Sequence, residues 1–166
     1  MAQNQEEPHN EVITVLKARL TDPNSTNREG TNYIYDDMPR KDLSKNSYPR
    51  LSVMLVSETG DIIDFAGTMQ YHPRVQIDIW VWAGIDGQDS MKLTISGKVY
   101  EGQKLLDYMA RQVKNALDDN KSDFYDDTNK MWNYELLASV NMGQDPVKRQ
   151  IIRHRIEIAF DMFRGA

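Results

Sequence analysis

The chain has 166 residues, 20 basic against 25 acidic side chains, a formal charge of −5 and no cysteine. That length suits a single domain, residues 1–166, able to bury roughly 70% of the surface its unfolded chain exposes, so stability needs neither disulfides nor structural metals. The missing cysteines exclude thiolate metal sites and thiol nucleophiles, and the acidic balance argues against a protein whose main task is gripping nucleic acid.

Residues 1–9 read as a polar, disordered tail with no apolar leader, and no apolar run approaches the ~20 residues of a membrane span, so a cytoplasmic, soluble chain is expected. Asn10 can cap a first helix with Glu11 in its first turn; Val12, Ile13, Leu16 and Leu20 give it one apolar stripe, and Pro23 ends it. Residues 24–47 have little periodicity and predict a long loop, in which Tyr33, Ile34 and Tyr35 are good docking residues. From Tyr48 the pattern alternates with a period of two. Leu51–Val56, Ile62–Phe65 and Arg74–Trp82 predict a meander, with a turn at Glu58-Thr59-Gly60-Asp61.

The third of these segments is the most telling. In YHPRVQIDIWVWA, Val75, Ile77, Ile79 and Val81 fall on one side of a strand, and Gln76, Asp78, Trp80 and Trp82 fall on the other. The aliphatic side must meet a core. The indole side calls for a second surface. A glycine-punctuated loop follows (Gly84, Gly87), then a helix predicted over 97–118, capped by Thr94 or Ser96. Its stripe is Leu105, Leu106, Met109, Val113, Ala116 and Leu117, and Gly102 would allow a close approach to the sheet. Residues 118–130 predict an acidic loop. Strands near 131–142 and 147–163 close the chain, the last with Ile152, His154, Ile156, Ile158, Phe160 and Met162 inward. The expected fold is therefore α+β, in the order α-β-β-β-α-β-β: a mostly antiparallel sheet of about five strands packed by two helices.

Candidate chemistry is sparse. His9, His72 and His154 are far apart and match no metal-ligand spacing, and no GxSxG, P-loop or dinucleotide fingerprint occurs. The run 118–129 lacks the glycine and glutamate that a calcium loop requires at its sixth and twelfth positions. Asp78, Asp86 and Asp89, with Glu101, could serve a small metal-dependent nuclease. An acid on a central strand, however, is better explained by a cross-sheet partner, here Arg153 or Arg155. No basic residues interleave with Trp80, Trp82, Trp132 and Tyr134 as single-strand nucleic-acid binding needs. No cofactor, metal or catalytic residue is expected.

The layout of Tyr48-Pro49-Arg50-Leu51-Ser52-Val53, then VQIDIWVWA, then the glycine-containing helix around Tyr100–Leu117, resembles the tail-terminator (tail-completion, or neck) proteins of long-tailed phages and related viruses. The similarity spans about 10–163 and departs from shorter members at 24–47 and 118–130. It implies a structural virion protein, not an enzyme, assembled in the host cytoplasm. Such a protein forms a ring, a hexamer, on the last ring of the major tail-tube protein and offers a surface to the head-completion proteins. DNA would pass through without specific binding, and no membrane is involved. Candidate contacts are Tyr33, Tyr35, Arg40, Trp80 and Trp82. A head-completion (stopper or adaptor) protein would share the ring logic, and the small nuclease is the reading from a different class.

Overall fold

The structure is a computed structural model and describes residues 8–28, 30, 32–36, 43–62, 67, 69–124 and 131–164. It has the expected α+β plan. Helix α1 (Pro8–Arg19) precedes a short strand β1 (Ile34–Tyr35) and the long strands β2 (Arg50–Ile62) and β3 (Met69–Trp82). A small hairpin, β4 (Lys92–Ile95) and β5 (Lys98–Glu101), leads into helix α2 (Gly102–Asp119). Strands β6 (Met131–Gln144) and β7 (Ile151–Arg164) finish the chain. The main sheet has the order β1-β2-β3-β7-β6, all antiparallel except the β1–β2 pair.

Both helices lie on one face of this sheet, α1 over β2 and β3, and α2 over β3 and β7. The pleat explains why. Val75, Ile77, Ile79 and Val81 are fully buried and stand opposite Leu51 and Val53 on β2 and Ile156 and Ile158 on β7. The α2 stripe predicted from its spacing, Leu105 to Leu117, is buried against them. On β7 the even-numbered residues His154 to Met162 are buried and their odd neighbours partly exposed, the alternation that the sequence shows.

Several boundaries differ from the expectation, each for a physical reason. Residues 1–7 lie outside the described residues, but Pro8 and His9 already belong to α1; proline is well suited to a helix's first turn. The predicted turn at Glu58–Asp61 is not a turn. These residues are held extended by pairing with Gln70–Pro73, so β2 runs on through the expected turn to Ile62, with a bulge between Leu55 and Ser57; residues 63–66 lie outside the described residues. The 24–47 segment contributes β1, whose Ile34 and Tyr35 pair with Leu51 and Ser52. Its base is pinned. Arg28 holds Asp22 through bonds of 2.6 and 2.8 Å and donates to the carbonyls of Ser47 and Pro49, while Asn24 donates to the carbonyl of Tyr48.

The start of the second helix is also later than predicted, because residues 98–101 pair with 92–95 before the chain turns into α2. Glu101 is its cap residue and makes no side-chain cap bond, so neither Thr94 nor Ser96 fills that role. Gly102 has φ +54° and no neighbour near its missing Cβ. It is there for the left-handed backbone conformation that opens the helix, not for a close approach. The predicted acidic loop is partly ordered inward: Lys121–Phe124 form a 3-10 turn and Phe124 is fully buried, 4.7 Å from Phe160 and stacked on Tyr134. Burial, with help from Asp118, raises the Tyr134 hydroxyl to about 12. Residues 125–130 lie outside the described residues.

Candidate interaction surface

On the sheet face away from the helices, cross-strand partners form rows. Arg50, Trp80 and Arg153 are in register across β2, β3 and β7. The Arg153 guanidinium lies 5.2 Å from the Trp80 ring, and the Arg50 guanidinium lies 4.0 Å from the Tyr35 ring. Rings and cations therefore alternate from β1 to β7, each such contact worth about 0.5–2 kcal/mol according to its desolvation. Trp80 is 5% exposed. Two residues along, Ser52, Asp78 and Arg155 make the next row. Arg155 donates to both carboxylate oxygens of Asp78 at 2.9 and 3.2 Å, and Gln76 donates to one of them at 3.2 Å. The acid on the central strand is thus committed to Arg155, one of the two partners that its sequence position called for.

The strand ends carry a second cluster. Trp82 packs on Tyr48 with ring centroids 5.9 Å apart, lies under the Lys148 ammonium at 4.9 Å, and donates from Nε1 to the Asp89 carbonyl. Beside it is an open cavity of about 320 Å³ lined by Gly84, Ile85, Asp86, Gln88, Asp89 and Gln150 as well as Trp82. The loop is tightly folded: a Cβ on Gly84 would sit 2.0 Å from the Gln88 carbonyl oxygen. Asp86 lines the cavity, and two other acids at this end of the strands are paired. Asp89 pairs with Lys45 at 2.8 Å, and Glu101 accepts from Ser90 at 2.7 Å. Among the described residues no three His, Cys, Asp or Glu side chains are grouped to hold a metal ion.

His154 is buried where β7, β6 and α2 meet. Its Nε2 lies 2.7 Å from Ser139 Oγ, and its Nδ1 has no hydrogen-bond partner. Burial first, then the Lys114 ammonium, lowers its pKa below the ordinary 6.5, against a smaller opposing pull from Asp107. The folded state therefore favours the neutral ring, while the unfolded chain binds the proton more readily. This contribution to stability is full above pH 6.5 and is lost as pH falls through the folded value. In urea unfolding followed from pH 7.5 down to 5, His154→Gln should flatten the pH slope by up to the ~1.4 kcal/mol per pH unit of one proton. An unchanged slope would assign the acid sensitivity elsewhere.

Among the described residues, neither long edge of the sheet is paired along its whole length. Over its whole length β6 has β7 on one side and no strand on the other among the described residues. Its stretch 136–144, LLASVNMGQ, carries no charge and no proline, and Leu136, Val140 and Met142 are 37–49% exposed. On the opposite edge, among the described residues, β1 pairs with β2 only at Leu51 and Ser52. Beyond them Val56 and Ile62 are exposed, Ile62 at 71%. Natural edges are usually blunted by charge or proline because unpaired N–H and C=O groups invite another strand.

Of the contact residues expected from the sequence, Tyr35 and Trp80 are joined through Arg50, and Trp82 lies half-buried one pleat away at the strand ends. The second surface that the Trp80 side called for is supplied in part by these flanking arginines; α2 lies on the other face. Tyr33 is buried under the Arg28 guanidinium, 5.3 Å from its ring, and burial raises its hydroxyl to about 12. Arg40 lies outside the described residues. The edge residues Leu136, Val140 and Met142 went unnoticed in the sequence, although an uncharged run of this length in a strand was a readable sign. No family model and no curated protein matches the chain.

Proposed function

We propose that this chain is a structural protein of a virus tail, a terminator that assembles as a ring on the last ring of tail-tube subunits and offers its other side to head-completion proteins. It acts by fitting, with no bond made or broken. The observation that supports this most directly is the β6 edge: its uncharged stretch 136–144, with apolar side chains facing water, is the kind of strand edge that proteins usually cover. A ring supplies that cover with the same contact repeated between neighbours.

Termination is then a matter of shape. One side of the ring copies the tube-subunit interface, while the opposite side rejects a further tube subunit. The glycine loop at 84–90 and the turn at 145–150 gather at one end of the strands, where Trp82, Lys148 and the open cavity give a sculpted surface for such a partner. An acidic chain also suits a passage through which DNA slides without being held.

The test uses the purified chain and tubes assembled from a purified viral tail-tube protein. Negative-stain images should show annuli of the chain alone or at tube tips, and tube growth should stop where it is bound. A chain that stays solitary and leaves tube ends free would sink the reading. Rings that bind portal-side proteins but ignore tubes would move it to the head-completion class.

A further inference from the structure

Before any ring forms, the uncharged β6 edge faces water. We infer that in the free chain a second copy covers it: β6 pairs antiparallel with β6 across a twofold axis, and the two sheets join into one. The inference concerns the chain off the tube, goes beyond the ring reading above and is tested apart from it.

The edge is available where the pairing is regular. Among the described residues no strand lies beyond β6. The side-chain bonds of its uncharged stretch run inward or stay within the strand: Ser139 to His154, Asn141 to Gln103 on α2, and the Gly143 amide to Asn141. Pairing with β7 is unbroken over 138–141, between interruptions at Leu136/Ala138 and Asn141/Gly143. That run can carry a ladder, and the interruptions on either side keep it short.

Register works against a head-to-tail contact. Through β7 and β3, residues 138–141 are level with Leu51–Met54 on β2. At that level β1 pairs with Leu51 and Ser52 on the opposite edge of the sheet. A copy set beside the first in the same orientation would therefore offer β6 only β1, a strand of two residues. Another β6 offers a run as long as its own.

A twofold axis normal to the sheet at Val140 sets the two strands antiparallel and keeps each residue on its own side. Ala138 and Val140, opposite Glu157 and Arg155, lie away from the helices; Ser139 and Asn141, opposite Ile156 and His154, lie on the helix side. Val140 then meets Val140, and each Ser139 meets an Asn141. No charge meets a like charge, in contrast to edges built to repel a second strand. The helices do not collide. Because α2 lies over β3 and β7, the two copies of α2 stand four strand spacings apart, roughly 19 Å against the roughly 8–10 Å of packed helices. So short a ladder makes a weak, reversible contact, which a larger interface in a ring can displace.

The chain has no cysteine, so one introduced thiol reports the contact. Val140→Cys is the probe; Val147→Cys, at a more exposed position off the edge, is the control. Each is first compared with the parent by far-ultraviolet circular dichroism. A short bis-maleimide, which tolerates a slip of one pair, should convert Val140→Cys to a covalent dimer. Its yield should be at least about tenfold that of Val147→Cys, since thiols held together by a contact share a millimolar effective concentration. Sedimentation equilibrium should show the parent as monomer and dimer in balance, and Val140→Lys as monomer.

Equal yields from the two cysteines, or a parent that is monomeric at every concentration, would overturn the dimer. A larger oligomer with no cross-link through Val140 would overturn it too and assign the assembly to another surface. Capping of tube tips is scored separately. A parent that caps tubes without ever dimerising leaves the ring reading standing and removes this inference, whereas a β6-linked dimer that never caps them does the reverse.

Discussion

Replacing Arg155 by alanine should destabilise the fold by about 3 kcal/mol, the largest single effect expected on the sheet face away from the helices. Removal of one partner from a buried ion pair typically costs about 3–5 kcal/mol because the other charge is left without compensation. Asp78 is 1% exposed and accepts both of its charged bonds from Arg155. The low end applies because the Arg155 side chain is itself 29% exposed, so its removal admits water to the carboxylate. Gln76 would remain as a single neutral donor. The double change Asp78→Leu with Arg155→Leu removes both charges and should recover a large part of the loss, since apolar pairs of similar volume often replace buried ion pairs without cost. Urea unfolding followed by tryptophan fluorescence measures both, with Trp80 one row away as the reporter. A loss under about 1 kcal/mol for Arg155→Ala would place the pair with ordinary surface bridges and show the sheet face to be wetter than its burial implies.

The second large effect concerns assembly. Val140→Lys should weaken association of the chain by about 100-fold or more, while leaving the stability of the isolated subunit within about 0.5 kcal/mol. The side chain is 49% exposed, so a lysine there finds water in the free subunit. In a strand-to-strand contact the same ammonium would be buried against a neighbour without a designed partner, the device by which natural edges keep other strands away. A ring makes the effect steeper, because every subunit carries the defect at one of its contacts. Val147→Lys is the control. It is equally aliphatic and more exposed, but sits in the connection from β6 to β7, off the open edge. Sedimentation velocity should separate the two variants. Equal behaviour would mean that the uncharged edge is not the contact.

Much of this protein follows from local order in the chain. The period of two in VQIDIWVWA and in Ile152–Met162, and the helical stripe from Leu105 to Leu117, specify strand and helix because each needs only its own residues and one buried side. Asp78 announced a cationic partner for the same local reason: a carboxylate on a central strand is costly alone. The places that resisted reading were those where a distant partner overruled local chemistry. Glu58-Thr59-Gly60-Asp61 has the composition of a turn, yet Gln70–Pro73 hold it extended. Ile34 and Tyr35 look like loop residues until Leu51 and Ser52 lie beside them.

The open edges belong to this second group. That β6 is a strand is written in its residues, but that it stands last in the order β1-β2-β3-β7-β6 is a property of the whole sheet. Sheet order is settled by which long-range pairings bury the most apolar surface on the helix side, and no short window of sequence contains that sum. The amino-acid order alone therefore determines which segments are strands and helices and which of their sides turn inward. Only the assembled sheet decides which backbone groups are left without a partner, and with them the surface that another molecule can use.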